Sequence, residues 1–274
     1  MGRYNFVKNR IETVASEGYG LHLESLLSKA FSIYKRSFFL LSLVLIMYTV
    51  ALTTIWFSTF EYTYGVGFVD LIEMAQQDPN SVNDVMGSIT LMNGLIYSLA
   101  FSLVAGLVSP IFAGIYRISY QIKREQPYSV LDLFVYYKQP YFVNLFIYSF
   151  LLAFVVQYIG IIMTSAFPLC AGVGSIWLQI FLNVSLIFTA PLIVFGDMKW
   201  LEAVKASFRI SFKNWFFLMF VLGIGLIISY LGVLLCGVGI IFTYSFLYVL
   251  IFVIYDDVIG FEEEKDVISE IGEN

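Results

Sequence analysis

Apolar residues gather into six runs, at 38–59, 91–116, 142–164, 175–196, 215–234 and 237–255, none of which contains Asp, Glu, Lys or Arg. A bilayer hydrocarbon core of about 30 Å takes roughly 20 helical residues to cross, so each run predicts a transmembrane helix. Ahead of the odd-numbered runs the pattern changes to an amphipathic one. Leu23, Leu26, Leu27, Ala30, Phe31 and Tyr34 fall on one helical stripe, with Glu24, Ser28, Lys35 and Arg36 largely off it. Before the fifth run, Leu201, Val204, Phe208 and Phe212 oppose Glu202, Lys205, Arg209 and Lys213. The second copy is shorter, and Ser129 with Asp132 offers it a capping-box start.

These three segments align as AFSIYKRSFF (30–39), LFVYYKQPYF (133–142) and SFRISFKNWF (207–216). Phe31, Phe134 and Phe208 coincide, as do Phe39, Phe142 and Phe216. A repeat of this kind is a structural unit. Here it predicts an interfacial helix, a basic and aromatic corner, then entry into the bilayer. The expected fold is therefore all-α, a polytopic membrane protein with six transmembrane helices arranged as three hairpins, each preceded by an amphipathic interfacial helix. Residues 1–21 read as a polar cytoplasmic tail, 22–257 as the membrane domain and 258–274 as an acidic cytoplasmic tail.

The outer tips repeat as well. PLCAGVGSI (168–176) and LLCGVGII (234–241) share a Cys and a Gly-Val-Gly, which predicts tight reversals. Cys170 and Cys236 take equivalent places on the outer side, as a disulfide pair or as two small packed residues. In the longer first outer loop, VDLIEMAQQ predicts a short helix ended by Asp78-Pro79.

Charge sets the orientation. All 15 Lys and Arg residues fall on one side of the predicted spans, the side that stays cytoplasmic. Lys35, Arg36, Lys138, Lys205, Arg209 and Lys213 are the expected contacts with lipid headgroups. Both termini should then be cytoplasmic. The first twenty residues are too polar to contain the apolar core of a cleavable signal.

Composition narrows the chemistry. The 274 residues are 59% hydrophobic and 13% charged, with net charge −5, which argues against nucleic acid as a partner. One His and two Cys fall short of an ordinary zinc ligand set, so no metal or other cofactor is expected. Small residues at four-residue spacing, Ser102, Gly106, Pro110 and Gly114 in the second run and Gly225 with Ser229 in the fifth, predict close helix approach. Gln157, Gln179 and Asn183 are the main intramembrane amides, candidates for interhelical bonding or a polar pathway. Asp256 and Asp257 open an acidic run with no Lys or His beside them, which reads as a solvated extension rather than a metal or catalytic site.

Three stretches carry a family likeness: PIFAGIYRISYQIKREQPYSVLDLF, APLIVFGDMKWLEAVKASFRISFKNWFF and LLCGVGIIFTYSFLYVLIFVIYDD. With them, most of residues 22–257 resembles a family of bacterial six-helix integral membrane proteins. It includes the membrane domain attached to some glycerophosphodiester phosphodiesterases and stand-alone relatives of unknown function. Relatives often carry a proline where this chain has Phe242-Thr243-Tyr244-Ser245. The family's phosphodiesterase activity resides in a separate domain, so no catalytic residue carries over. The resemblance implies a bacterial inner membrane location.

The expected function is a non-enzymatic one, supporting the envelope or serving a partner, with membrane lipids and another membrane protein as the interacting species. A transporter or channel for a small apolar or lipid-like substrate, using Gln157, Gln179 and Asn183, is the alternative. A membrane-embedded lipid-processing enzyme ranks third, because general acid–base chemistry needs positioned titratable groups.

Overall fold

The computed structural model describes residues 2–78, 80–87, 90–166, 168–234, 239 and 243–261, and among them the regular structure is entirely helical. Four helical stretches are long and apolar enough to cross a membrane, and a fifth forms if the bent pair Trp200–Ser211 and Trp215–Tyr230 is taken as one. The chain thus carries the long apolar helices of a helical membrane protein.

The helices are α1 (Gly2–Glu17), α2 (Leu23–Tyr64), α3 (Phe68–Gln77), α4 (Ser81–Gly87), α5 (Leu91–Lys123) and α6 (Tyr141–Ala166). They continue as α7 (Pro168–Ser185), α8 (Thr189–Gly196), α9 (Trp200–Ser211), α10 (Trp215–Tyr230) and α11 (Ser245–Val258). Short 3-10 segments occupy Val130–Tyr137 and Leu231–Leu234. Neighbours in the bundle follow one another: α2 packs on α5, α5 on α6, α6 on α7, α7 on α10, α10 on α11, and α11 returns to α2.

Glycine makes the closest of these contacts possible. Gly94, Ser98, Ser102, Gly106 and Ala113 are buried along one face of α5, and a Cβ on Gly106 would sit 2.9 Å from the Phe146 ring of α6. Phe146 belongs to a ladder of rings with Phe142, Phe150, Phe154 and Tyr158, spaced 5.5–6.4 Å between centroids. Pro110 leaves α5 unbroken, because the Gly106 carbonyl it deprives of an N–H accepts from Ser109 Oγ at 2.8 Å. The second glycine face behaves alike: a Cβ on Gly225 would meet Leu250 of α11 at 2.6 Å.

The three segments expected at the interface take three different forms. In the third, a separate helix α9 ends at Ser211 and α10 departs at 99°. In the second, the Ser129 N–H donates to Asp132 Oδ2 at 2.9 Å, but the segment is a single 3-10 stretch. The first is not a separate helix. α2 runs uninterrupted for 42 residues, about 63 Å at 1.5 Å per residue, because residues 23–64 contain neither Gly nor Pro to stop it.

Two further expectations change. The supposed N-terminal tail is helix α1, whose Val7, Ile11 and Val14 are buried against α8 and α9. Their spacing of four and three residues makes one apolar stripe on an otherwise polar helix. The Gly-Val-Gly of 172–174 lies inside α7 rather than in a turn; the helix restarts at Pro168, whose fixed φ suits a first helical position. Most of the second tip, including Cys236, lies outside the described residues, as does the Cys170 side chain, and with them the proposed disulfide.

The fourth run divides at Leu186–Phe188, where α7 gives way to α8; Pro191 has no N–H to carry the ladder across that break. Outside the bundle, α3 forms over VDLIEMAQQ as predicted, ending at an extended Asp78. It buries Leu71 with Phe60 and Val85 in a small separate cluster.

Candidate functional site

Where the bundle's basic residues collect, five helices and a 3-10 segment enclose a cavity of about 660 Å³. Docking of α1 carries Arg3 and Phe6 to one wall. From α5 come Arg117 and Tyr120, one turn apart. The 3-10 segment contributes Tyr136, and α6 contributes its first residue, Tyr141. Phe195 of α8, Tyr255 of α11 and the following Phe261 complete the apolar side.

Phe261 reaches this wall because Gly260 adopts φ +73°, a left-handed conformation that costs glycine little. The chain folds back, placing the Phe261 ring 4.6 Å from Tyr120 and 4.9 Å from Phe195. Beneath it, Tyr255 is completely buried, and among the described residues its hydroxyl has no hydrogen-bond partner.

One carboxylate organises the polar side. Asp132 Oδ1 accepts from Arg117 Nε at 3.0 Å and from Gln121 Nε2 at 3.2 Å. Burial works against the Asp132 charge, but the Ser129 N–H, Arg117 and Gln121 together outweigh it and hold this carboxyl below the usual carboxylate range. Burial pushes the Tyr136 phenol up, opposed by Arg117 and, more weakly, by Arg3. Both guanidinium groups therefore act on the same ring. Opposite them the Tyr141 hydroxyl donates to Asp197.

The bundle end is tied together nearby. Both oxygens of Asp256 lie 2.5 Å from Lys123 Nζ, and Asp257 binds Lys29 Nζ at 2.7 and 2.9 Å. These acids are therefore not part of a solvated extension. Each has a lysine partner far away in sequence, on α5 and on α2, which adjacency along the chain does not reveal.

Of the sequence-derived candidates, Gln157 is half-buried while Gln179 and Asn183 are exposed. Asn183 Nδ2 donates to the Gln179 carbonyl at 2.8 Å, and none of the three lines the cavity. Lys35, Arg36, Lys138, Lys205, Arg209 and Lys213 are all exposed, and among the described residues none of them forms an ion pair.

Sequence reasoning used Arg3 and Arg117 only as markers of orientation and missed their convergence. The Val7, Ile11 and Val14 stripe was the available signal for docking of α1. A group of ring hydroxyls within the bundle also went unnoticed. Tyr248 lies close enough to Tyr48, Tyr116, Tyr148 and Tyr244 for mutual electrostatic effects, and its ring stacks 4.8 Å from Phe112. Among the described residues no group of three or more His, Cys, Asp or Glu is placed to hold a metal ion. No protein-family model, curated protein or solved structure matches the chain.

Proposed function

We propose that this chain is an integral protein of the bacterial cytoplasmic membrane that crosses it six times as three hairpins, with both ends in the cytoplasm. In this reading it catalyses no reaction and supports the envelope by holding a partner within the membrane.

The observation that carries the reading is the placement of Gln179 and Asn183. They sit one turn apart near the middle of the apolar stretch Val173–Gly196, with both side chains exposed. An amide facing hydrocarbon seeks a polar group on a neighbouring helix, and this chain presents the pair outward. The adjacent stretch Tyr141–Met163 has only 6% of its most apolar window buried, which leaves a broad face beside them for a second helix.

Gentle extraction followed by purification tests the reading. A partner protein or a second copy should remain in stoichiometric association, and Gln179→Leu with Asn183→Leu should release it. A monomer that retains neither partner nor defined lipid would overturn the proposal.

A further inference from the structure

We propose that the cavity between α1, α5, the 3-10 segment, α6, α8 and α11 binds the phosphate group of an anionic amphiphile, such as a lipid headgroup with its attached apolar chain. This goes beyond the support role and needs no protein partner. It relies on the earlier reading only for placing the basic end of the bundle at a membrane surface.

Size and lining agree first. About 660 Å³ is within the 300–1,000 Å³ range of small-molecule sites, which are mainly apolar with a few convergent polar groups. Here Phe6, Phe195 and Phe261 form the apolar part, and Arg3 and Arg117 are the cations.

The two arginines are also available. Among the described residues Arg3 forms no ion pair, although it stands beside Tyr136 and Tyr141. Arg117 engages Asp132 through Nε and also interacts with the Tyr136 hydroxyl, a neutral partner that leaves its charge only partly offset. A guanidinium fork matches phosphate oxygens in geometry and stays charged at any physiological pH. The two guanidinium groups come from different elements, α1 and α5, and both line the same cavity. Among the described residues the acids nearby are already engaged: Asp132 by Arg117 and Gln121, Asp197 by Tyr141, and Asp256 by Lys123.

Basic pockets at the cytoplasmic ends of membrane helices are the usual place for anionic headgroups.

Calorimetric titration of the full chain in phosphatidylcholine nanodiscs tests the assignment. The probes are short-chain phosphatidylglycerol, inorganic phosphate and short-chain phosphatidylcholine. Saturable binding of phosphatidylglycerol is expected, with inorganic phosphate and phosphatidylcholine each weaker by at least about tenfold. Arg3→Gln should weaken phosphatidylglycerol binding about tenfold, the loss of one charge-assisted hydrogen bond. Because Arg3 pairs with no acid among the described residues, its melting temperature should not fall. Absence of saturable binding, or an Arg3→Gln affinity equal to wild type, would overturn the site. Equal affinity for inorganic phosphate would overturn the amphiphile and leave a free-phosphate site.

Discussion

The backbone of Leu133 rests directly on Gly114: a Cβ on that glycine would lie 2.5 Å from Leu133 Cα and 2.6 Å from its carbonyl oxygen. Backbone cannot swing aside as a flexible side chain can. Gly114→Ala should therefore push the 3-10 segment off α5 and displace Asp132 from Arg117 with it. A loss of about 1–3 kcal/mol is expected for overpacking of this kind. Thermal melting in detergent checks it, and Ala113→Gly, on the same helix, serves as the control for altered helix propensity.

Lys123 and Asp256 should respond unequally to mutation. The Asp256 side chain is 8% exposed and that of Lys123 44%, so removing the lysine strands a nearly buried carboxylate while removing the acid frees a cation already near solvent. Lys123→Met is expected to cost more than Asp256→Asn, by about 1 kcal/mol or more. At Lys29 and Asp257, where the side chains are 49% and 21% exposed, either change should cost at most about 1 kcal/mol. Equal losses for the two Lys123–Asp256 variants in denaturant melts would contradict the argument.

Acid should act through Asp132. Its carboxyl is held below the ordinary value in the folded protein, whereas the unfolded chain binds that proton near pH 4. The contribution is complete above that pH and declines as pH falls through the lower, folded value. Melting temperatures of the wild type and Asp132→Asn should differ at neutral pH and converge below roughly pH 4. A gap that persists undiminished in acid would assign the stabilisation elsewhere.

Ser109 and Pro110 should be coupled. Ser109→Ala leaves the Gly106 carbonyl without the hydroxyl that now bonds it, an expected loss of about 1 kcal/mol. Pro110→Ala restores an N–H to the helix ladder, so the double variant should be more stable than Ser109→Ala alone. A double-mutant cycle should show an interaction of at least about 0.5 kcal/mol; strict additivity would mean that the hydroxyl does not substitute for the missing donor.

Several features were legible because they depend on neighbours along one helix. The small faces at Gly106 and Gly225, the α3 helix ended at Asp78 and the Ser129–Asp132 start all follow from local spacing. So, in principle, did the continuity of α2, since residues 23–64 lack Gly and Pro; the repeat suggested a corner that nothing in the local chain could make. The Gly-Val-Gly at 172–174 misled in the opposite way. Glycine permits a turn without requiring one, and Pro168 placed the helix start ahead of it.

By itself the sequence determined that this is a helical membrane protein, because long runs without charge have one stable arrangement in lipid, with every backbone group bonded within its own helix. Its scarce charges also marked one end of those helices. Only the tertiary structure decided what that end contains. It seated α1 on α8 and α9, paired Asp256 and Asp257 with lysines on other helices, and brought Arg3 and Arg117 to one cavity. Those relationships join residues more than a hundred positions apart, and they depend on which helix ends pack together, a property that no local period along the chain records.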